Sequence, residues 1–593
     1  MKKAKTRSGK SQIQRPKRGE HHALFDRNKI AGNILQSLYL DSNTILYKNQ
    51  DNPSYAAYVA LQTVAAGKKY SRKDKSSESN RRRASFAKFI ANMERMEEVN
   101  SNIDALLEQH RDVIVLARHI IARILGSCDT EYVFQAARHS AGTTIGKTYA
   151  LCNLEDKWTF PLSTTPGIRR VFEEYLMWDW QLAGILYGFN RYSEKPMYHE
   201  VTTNEITTVP KDDEIDRIIA KESTLAMFFQ QGLMALMYYR LSEFGIDLSK
   251  TPDMHRMTVL LQSVSRKLAT IDFSMASDSV LLLLVRALFP RDWYDWLTLV
   301  RAPAGQLPKA YGSRVVNYPI ISSMGNATTF PVETIIFLAI ALAVHQLGAR
   351  DSKSRIPDWT LLDTTRNIIS VFGDDVILPV EDAPRFMSVC ADFGLLVNQK
   401  KSFFGQEHFR ESCGVDAFDA RNVRPFYLKA PSVETNVGYE AWLYTCFNKL
   451  KPIAISAYGP LAWHYMSTPQ YLLRTLHDLT NGDILIVPDH MPDDSGLKLF
   501  NEPVTRDLMR AQGLKMAPIF TDQHGTVKFK YLRALYAQFG PPSEPLHFAR
   551  KLKNLDTDVS DLGRFLSFSQ VLAADSVVNR YTSRKALKYV VRR

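Results

Sequence analysis

Three separated stretches of the chain put carboxylates where a reaction could use them. In Ala269-Thr270-Ile271-Asp272-Phe273-Ser274-Met275-Ala276-Ser277-Asp278-Ser279 a short apolar strand delivers Asp272 at its end, and a helix running through Leu284 to Leu288 follows. Asp278 falls at the start of that helix, where a carboxylate can cap free amides. Capping does not account for Asp272, whose neighbours are apolar. In Asn367-Ile368-Ile369-Ser370-Val371-Phe372-Gly373-Asp374-Asp375-Val376-Ile377-Leu378-Pro379 two β-type runs flank Gly-Asp-Asp, the pattern of a hairpin whose tight turn presents two adjacent acids. Between them lies Ile321-Ser322-Ser323-Met324-Gly325-Asn326-Ala327-Thr328-Thr329-Phe330-Pro331-Val332-Glu333. Small and polar residues around Gly325 let a backbone approach another molecule closely. The apolar run Ile335 to Val344 then reads as a buried helix holding that loop, with Pro331 near its first turn.

If the two acidic strands are neighbours in one sheet, each carboxylate pair about 4 Å apart repels by about 4 kcal/mol at an effective dielectric of 20. Such a cluster demands cations. Oxygen-only ligands favour Mg²⁺, for which Mn²⁺ can substitute, with positions left for water and substrate phosphates. Two such ions about 3.5 to 4 Å apart can activate an attacking 3′-hydroxyl and stabilise a leaving pyrophosphate, which is the chemistry of nucleotidyl transfer. Gly-Asp-Asp alone is weak evidence; its value comes from the second strand-end acid upstream and the glycine loop between.

The elements that must position these residues belong to a large composite chain. At 593 residues, a prior of one domain per ~150 residues suggests about four structural units. Hydrophobic residues at 45% and charged residues at 23% match an ordinary folded chain and exclude a disordered, collagenous or coiled-coil protein. Five widely spaced cysteines form no C-x-x-C pair, so neither a disulfide framework nor a cysteine zinc site is supported. The net charge of +13 is concentrated. Residues 1 to 30 hold ten Lys/Arg against Glu20 and Asp26, and residues 68 to 88 hold nine against Asp74 and Glu78. Those two segments together exceed the total, leaving the remainder near neutral. They read either as solvated tails or as the footprint of an anionic polymer. The basic start Met1-Lys2-Lys3-Ala4-Lys5 is followed by no apolar segment of a secretory signal, and the run Ile335 to Val344 is about half of a membrane span. The expectation is a soluble, cytoplasmic protein with no membrane partner.

Helical spacing dominates the first half, over Met93 to Leu107, Arg111 to Leu125, Val171 to Leu186 and Ser223 to Phe244. Residues 1 to 22 and 68 to 85 read as tails or loops. From about residue 267 to 430 short β-branched runs alternate with helices, an α+β texture. Helices and irregular segments return after Pro431, with a Pro/Asp-rich loop at Pro488 to Asp494. Ala141-Gly142-Thr143-Thr144-Ile145-Gly146-Lys147-Thr148 satisfies a loose phosphate-loop pattern, but Tyr132 to His139 before it is no convincing strand. His21-His22 and the other histidines have no metal-ligand spacing.

The order and spelling of these segments resemble the RNA-directed RNA polymerases of single-stranded RNA bacteriophages of the levivirus type. Asp272 with Asp278 is similar to polymerase motif A, Ser323-Met324-Gly325-Asn326 with Thr329 to motif B, and Phe372-Gly373-Asp374-Asp375 to motif C. Val209-Pro210-Lys211 with Asp216-Arg217 resembles motif F, and Asn398-Gln399-Lys400-Lys401-Ser402 resembles motif D. Phe409-Arg410-Glu411-Ser412-Cys413-Gly414 with Pro425-Phe426-Tyr427 resembles motif E. The likeness is firm over about residues 205 to 430.

The resemblance implies an α+β right hand of fingers, palm and thumb, with an antiparallel palm sheet and helix-rich fingers and thumb. Residues 1–22 would be a basic tail and 23–266 the fingers and N-terminal region, with the basic loop at 68–88 and motif F at 209–221. Residues 267–430 would be the palm, with 300–320 as a fingers excursion, and 431–593 the thumb and C-terminal region. Asp272, Asp374 and the carbonyl of Phe273 would bind two Mg²⁺ ions, with Asp375 assisting. Lys211 and Arg217 would hold the incoming triphosphate, with Lys221 a weaker candidate, and Lys401 or Lys400 would protonate departing pyrophosphate. DNA-making relatives place a bulky aromatic about five positions after the first motif A acid; here Ser277 and Asp278 stand there and admit ribose. Asp278, Ser323, Gly325 and Asn326 line the nucleotide side. Which of Asn326, Ser323 and Asp278 reads the 2′-hydroxyl stays open, because Glu333 stands where many viral polymerases have Asn. Implied partners are an RNA template and product, ribonucleoside triphosphates, and the host elongation factors Tu and Ts with a ribosomal protein, in the cytoplasm of an infected bacterium. The competing readings are a reverse transcriptase, a related naked-virus RNA polymerase, and a non-catalytic basic RNA-binding protein.

Overall fold

The computed structural model describes residues 26–48, 65–70, 75–140, 142–147, 157–211, 215–349, 357–365, 368–431, 436–458, 466–487 and 492–498, and a few short strands beyond. The basic tail 1–22, His21-His22 and Cys152 lie outside them. The chain divides into two compact units: residues 73–424 with 533–583, and residues 1–72 with 425–532 and 584–593. All three acids lie in the first.

In the second unit the helix Arg27–Lys48 packs on the helix Ser467–Thr480. Met466, at the N-cap, supplies no capping side chain, and Asp41 of the first helix does so instead. Its carboxylate accepts from the amides of Ser467 (2.6 Å) and Thr468 (2.9 Å) and from the Thr468 hydroxyl (2.6 Å). A cap of this kind stabilises a helix by about 1 kcal/mol.

In the first unit we number only the elements that reach the site. Helix α1 (Lys75–Ser101) packs on a hairpin of strands β1 (Asn204–Pro210) and β2 (Asp216–Lys221). Helix α2 (Thr251–Ser265) leads into strand β3 (Leu268–Ile271). Strands β4 (Ala304–Gln306) and β5 (Val315–Asn317) extend the first hairpin into a four-stranded sheet in the order β2-β1-β4-β5. Helix α3 (Thr329–Ala349) precedes the hairpin β6 (Ser370–Phe372) and β7 (Asp375–Pro379), and a second hairpin follows, β8 (Phe409–Ser412) and β9 (Val415–Phe418). Strands β3, β7 and β6 form an antiparallel sheet in that order.

Helix α3 is apolar all round and buried from Val332 to Val344, so it is a core helix rather than an amphipathic one. It is long and apolar enough to cross a membrane, but 83% of that window is buried inside the protein. It lies along the helix Arg111–Leu125, which buries Val113, Leu116, Ala117, Ile120, Ile121 and Ile124 at the expected three- and four-residue spacing.

Three expectations are corrected. The basic segment expected as a loop through residue 88 is helical from Lys75 onward. It has little apolar periodicity of its own; docking does the ordering, through the Arg81 guanidinium on Asp216 (3.4 Å) and the Asp216 amide donating to Ser85 (2.9 Å). The helix expected over Val171 to Leu186 is two helices, Pro166–Trp178 and Trp180–Tyr192, because Asp179 ends one and caps the other through the Leu182 amide (3.0 Å). Asp278 does not cap the following helix, as shown below. The phosphate-loop pattern also lacks its context: Thr130–Ala136 before it is helical, and the Lys147 ammonium donates to the Thr159 carbonyl (2.8 Å) and hydroxyl (2.6 Å).

Candidate active site

The register of the three-stranded sheet brings the acids together. Val376 of β7 pairs with Ile271 of β3, so the ladder ends at the two acids next in line, Asp375 and Asp272. On its other side Asp375 pairs with Phe372, which leaves Gly373 and Asp374 as a two-residue turn. Gly373 takes the positive φ (+62°), as the first position of a II′ turn requires. A side chain there would meet the ring of Phe330 at 2.6 Å. The Gly373 amide is held by Thr334 of α3 (2.9 Å), so the core helix fixes the turn.

Each acid has its own holder. The Asp272 carboxylate accepts from the Asn398 side-chain amide (2.7 Å) and lies 3.9 Å from the Lys401 ammonium. Its backbone is clamped by the Asn398 amide (2.8 Å) and the Ser402 hydroxyl (3.1 Å). Phe273 pairs with Val397 and stacks on Phe337 at 4.3 Å, which anchors the strand end in the core. Asp375 accepts from the Cys413 amide (3.2 Å) in the β8–β9 turn, and the Ser412 hydroxyl and the Cys413 thiol beside it favour its charged form. Cys413 has a positive φ (+44°), uncommon for a side-chain-bearing residue and typical of strained functional turns.

Burial raises the pKa of all three acids. Asp272 is pushed up to about 7 by burial, with Asp374 and Asp375 adding repulsion and Lys401 and Asn398 opposing it. Asp375 rises to about 6 through burial and the nearby Asp374. Asp374 is raised by burial and relieved by its own backbone amide, Lys401, Arg217 and Lys211. Burial disfavours the charge on Lys401, but Asp272, Glu411, Asp375 and Asp374 more than offset it and raise its pKa. Of the residues expected from the sequence to work together, Asp272, Asp374, Asp375 and Lys401 lie within electrostatic reach of one another, and Arg217 and the exposed Lys211, which follows β1, reach Asp374.

Among the described residues no three His, Cys, Asp or Glu side chains are drawn close enough to cage a metal ion. Asp272 spends its outer oxygen on Asn398 and Lys401, and Asp375 spends one on Cys413. The donor set nevertheless suits Mg²⁺: three hard carboxylates, desolvated and mutually repelling, which gain most from a divalent ion. Asp272, Asp374 and Asp375 are the residues that would hold it.

The glycine loop packs on the other side. Gly325 has φ +117°, and a Cβ there would strike the Ala220 carbonyl of β2 at 2.2 Å. The Ala220 amide donates to the Met324 carbonyl (2.8 Å), so loop and cationic hairpin are one assembly. Asn326 uses its side-chain oxygen within the loop, accepting from the Thr328 amide (2.9 Å) and hydroxyl (2.7 Å). Ser323 is buried. Asp278 lies in a single 3₁₀ turn, Ala276–Asp278, and accepts from the Met324 amide (3.3 Å). It therefore caps the glycine loop, not the helix Leu282–Leu288. Burial lifts its pKa to about 7.

Glu333, noted in the sequence only as a departure, is a buried carboxyl here. Burial, Asp374 and Asp278 push its pKa well above the usual range, Ser277 supplies a hydrogen bond, and Oε1 finds no partner. Sequence reasoning also missed the Arg81–Asp216 pair behind Arg217, and His255 behind Asp375. Each is a polar residue in a helix whose partner is set by tertiary contact, and no local signal marks it.

The chain is similar in sequence to RNA-directed RNA polymerase subunits of several phages. The chain is 41% identical over 230 residues to an RNA-directed RNA polymerase subunit beta of Enterobacteria phage SP, covering 39% of this chain and 37% of the relative. It is 33% identical over 317 residues to the namesake subunit of Escherichia virus Qbeta, covering 53% and 49%. It is 35% identical over 243 residues to an RNA-directed RNA polymerase beta chain of Escherichia phage MS2, covering 41% and 40%. The aligned stretches thus span about half or less of these relatives. Among solved structures, an insertion-loop deletion mutant of the RNA-dependent RNA polymerase of a human picorbirnavirus overlaps 73% of this chain and 94% of its own at 12% identity, with a TM-score of 0.34. At that score the two share too little geometry to inform the fold. The family model described as RNA replicase, beta-chain, matches residues 35–437, more than half of the sequence and all of the site, and the chain belongs to that family.

Proposed function

We propose that the chain is an RNA-directed RNA polymerase that replicates a single-stranded RNA phage genome by nucleotidyl transfer and initiates without a primer. The observation that carries this reading is the convergence of Asp272, Asp374 and Asp375 at one end of a three-stranded sheet, within electrostatic reach of Lys401 and, for Asp374, of Arg217. In the reaction a 3′-oxygen bonds to the α-phosphorus of a ribonucleoside triphosphate and the bond to pyrophosphate breaks. Lys211 and Arg217 orient the triphosphate and stabilise its charge. Lys401, held charged among the acids, gives a proton to the departing pyrophosphate. Asp272, Asp374, Asp375 and the Phe273 carbonyl would hold two Mg²⁺ ions, which would lower the cost of the charge on the attacking and leaving oxygens. Ser323, Gly325 and Asn326 line the sugar side with Asp278.

In this reading residues 267–430 are a palm, the β1–β2 hairpin and residues 300–320 belong to fingers, and 431–593 carry a thumb. Template and product RNA are the partners, with host elongation factors Tu and Ts and a ribosomal protein as helpers in the cytoplasm of an infected bacterium. Ser277 and Asp278 at the sugar-facing positions argue against a reverse transcriptase, since neither blocks a 2′-hydroxyl.

The test is template-dependent incorporation by the chain purified with the host proteins that accompany it. Ribonucleotides should be incorporated, deoxyribonucleotides should not, and chelation of Mg²⁺ should stop the reaction. No incorporation on any phage-type RNA, or equal use of deoxyribonucleotides, would overturn the assignment.

A further inference from the structure

His255 is fully buried on the inner face of α2, whose residues Val259 and Ser263 pack beside it. Its ring reaches both hairpins of the site. Nε2 lies 2.8 Å from the hydroxyl of Ser370 in β6, at the start of the strand leading to Gly373-Asp374. Nδ1 lies 2.8 Å from the hydroxyl of Ser412 in β8, which favours the charged form of the Asp375 carboxylate. One imidazole thus bridges the strand that carries the acidic turn and the strand whose turn holds Asp375.

A carboxylate only accepts, so a Ser412 hydroxyl that favours the charged Asp375 turns its proton toward it and accepts from His255. Nδ1 then carries the proton, and Nε2 accepts from Ser370. The arrangement needs a neutral ring with one donor and one acceptor, and burial, which lowers the His255 pKa to about 4, keeps the ring in that form. Neither side of the bridge ends in an unsatisfied group.

We propose that His255 is a positioning residue for the polymerase centre: through Ser412 it sets the orientation of the Asp375 carboxylate, and through Ser370 it locks the acidic hairpin to the hairpin that holds Asp375. The inference rests on the polymerase reading for its catalytic consequence. A displacement of about 1 Å at a reacting centre can cost on the order of 100-fold in rate, so a brace of this kind should act on kcat rather than on substrate affinity.

Three variants test it. Ser412→Ala leaves the imidazole in place and removes only the last link; His255→Leu removes both links; His255→Asn keeps a donor and an acceptor on a shorter side chain. Incorporation is measured as kcat and KM for the ribonucleotide, alongside Mn²⁺ binding to the protein without nucleotide or RNA and thermal melting. Ser412→Ala and His255→Leu should lower kcat by about 10- to 100-fold with KM within about twofold, and should weaken Mn²⁺ binding several-fold. His255→Asn should recover part of the loss. If His255→Leu does not fold, Ser412→Ala decides. Wild-type kcat and Mn²⁺ affinity in Ser412→Ala, or a loss confined to KM, would overturn the proposal. An inactive wild type would instead sink the polymerase reading, and the Mn²⁺ measurement would still report on Asp375.

Discussion

Two two-residue turns face each other at the site, and they solve opposite problems. Gly373-Asp374 must show a carboxylate, so its backbone is squeezed against Phe330 and tied to Thr334, and only a glycine fits at its first position. Cys413-Gly414 must hold a carboxylate, so its first residue keeps a side chain despite a positive φ and turns its amide toward Asp375. In the first turn conformation serves placement of the acid; in the second it serves donation to it. Where a turn carries chemistry, sterics choose the residue; where it supports chemistry, the amide matters and the side chain has more freedom.

That contrast can be broken at its strict end first. Gly373→Ala should cost about 2–3 kcal/mol of stability, from the left-handed φ and the contact with Phe330. Incorporation should fall at least about 100-fold, since the turn shifts as a unit. Adding Phe330→Leu should return part of both losses, read by melting and by single-turnover incorporation. A fully active Gly373→Ala would mean that the turn tolerates movement. Cys413→Gly probes the permissive end. Relief of the positive φ should raise stability by about 0.5–1 kcal/mol, and kcat should stay within about threefold because the amide remains. A large loss of rate there would assign the hold on Asp375 to the thiol.

The smallest effect is expected away from both turns, on the helix that supports the first. His345 of α3 pairs with Asp382 at 2.6 Å, and that hydrogen bond raises its pKa. A raised histidine stabilises the fold fully below its ordinary value of ~6.5 and loses that contribution as pH rises through its folded value. His345→Gln should therefore lower melting by about 1 kcal/mol or less in acid, with the difference closing at higher pH and no change in incorporation at pH 8. A difference that grows with pH would contradict the assigned charge state.

How much of this was legible in sequence follows from where each signal resides. Asp272 and Asp374 could be found because a carboxylate ending a β-branched run is out of place on bland grounds, and the apolar runs Val371–Phe372 and Val376–Leu378 mark the strands around the turn. The register that ends β3 and β7 beside Asp272 and Asp375 could not be read, since pairing is settled by the sheet. The first turns of helix α1 escaped because Lys75–Ser85 has no apolar stripe, and their helicity is secured by Asp216, over a hundred residues away. Asp278 was placed on the right segment but given the wrong partner: a carboxylate before a helix reads as a cap, and here a closer amide, that of Met324, competes for it. Glu333 and His255 carry no local mark at all. A glutamate in an apolar helix and a histidine on an amphipathic one are ordinary until the fold shows which carboxyl is stranded and which ring joins two hairpins.

The central claim is that acids from distant segments work together in joining ribonucleotides. Its most direct measurement is single-turnover incorporation beside RNA binding for Asp374→Asn, an isosteric change that removes one charge from the cluster. The account predicts unaltered RNA affinity and melting with incorporation reduced at least about 1,000-fold. Incorporation equal to that of the unaltered chain, at equal RNA binding, would contradict it.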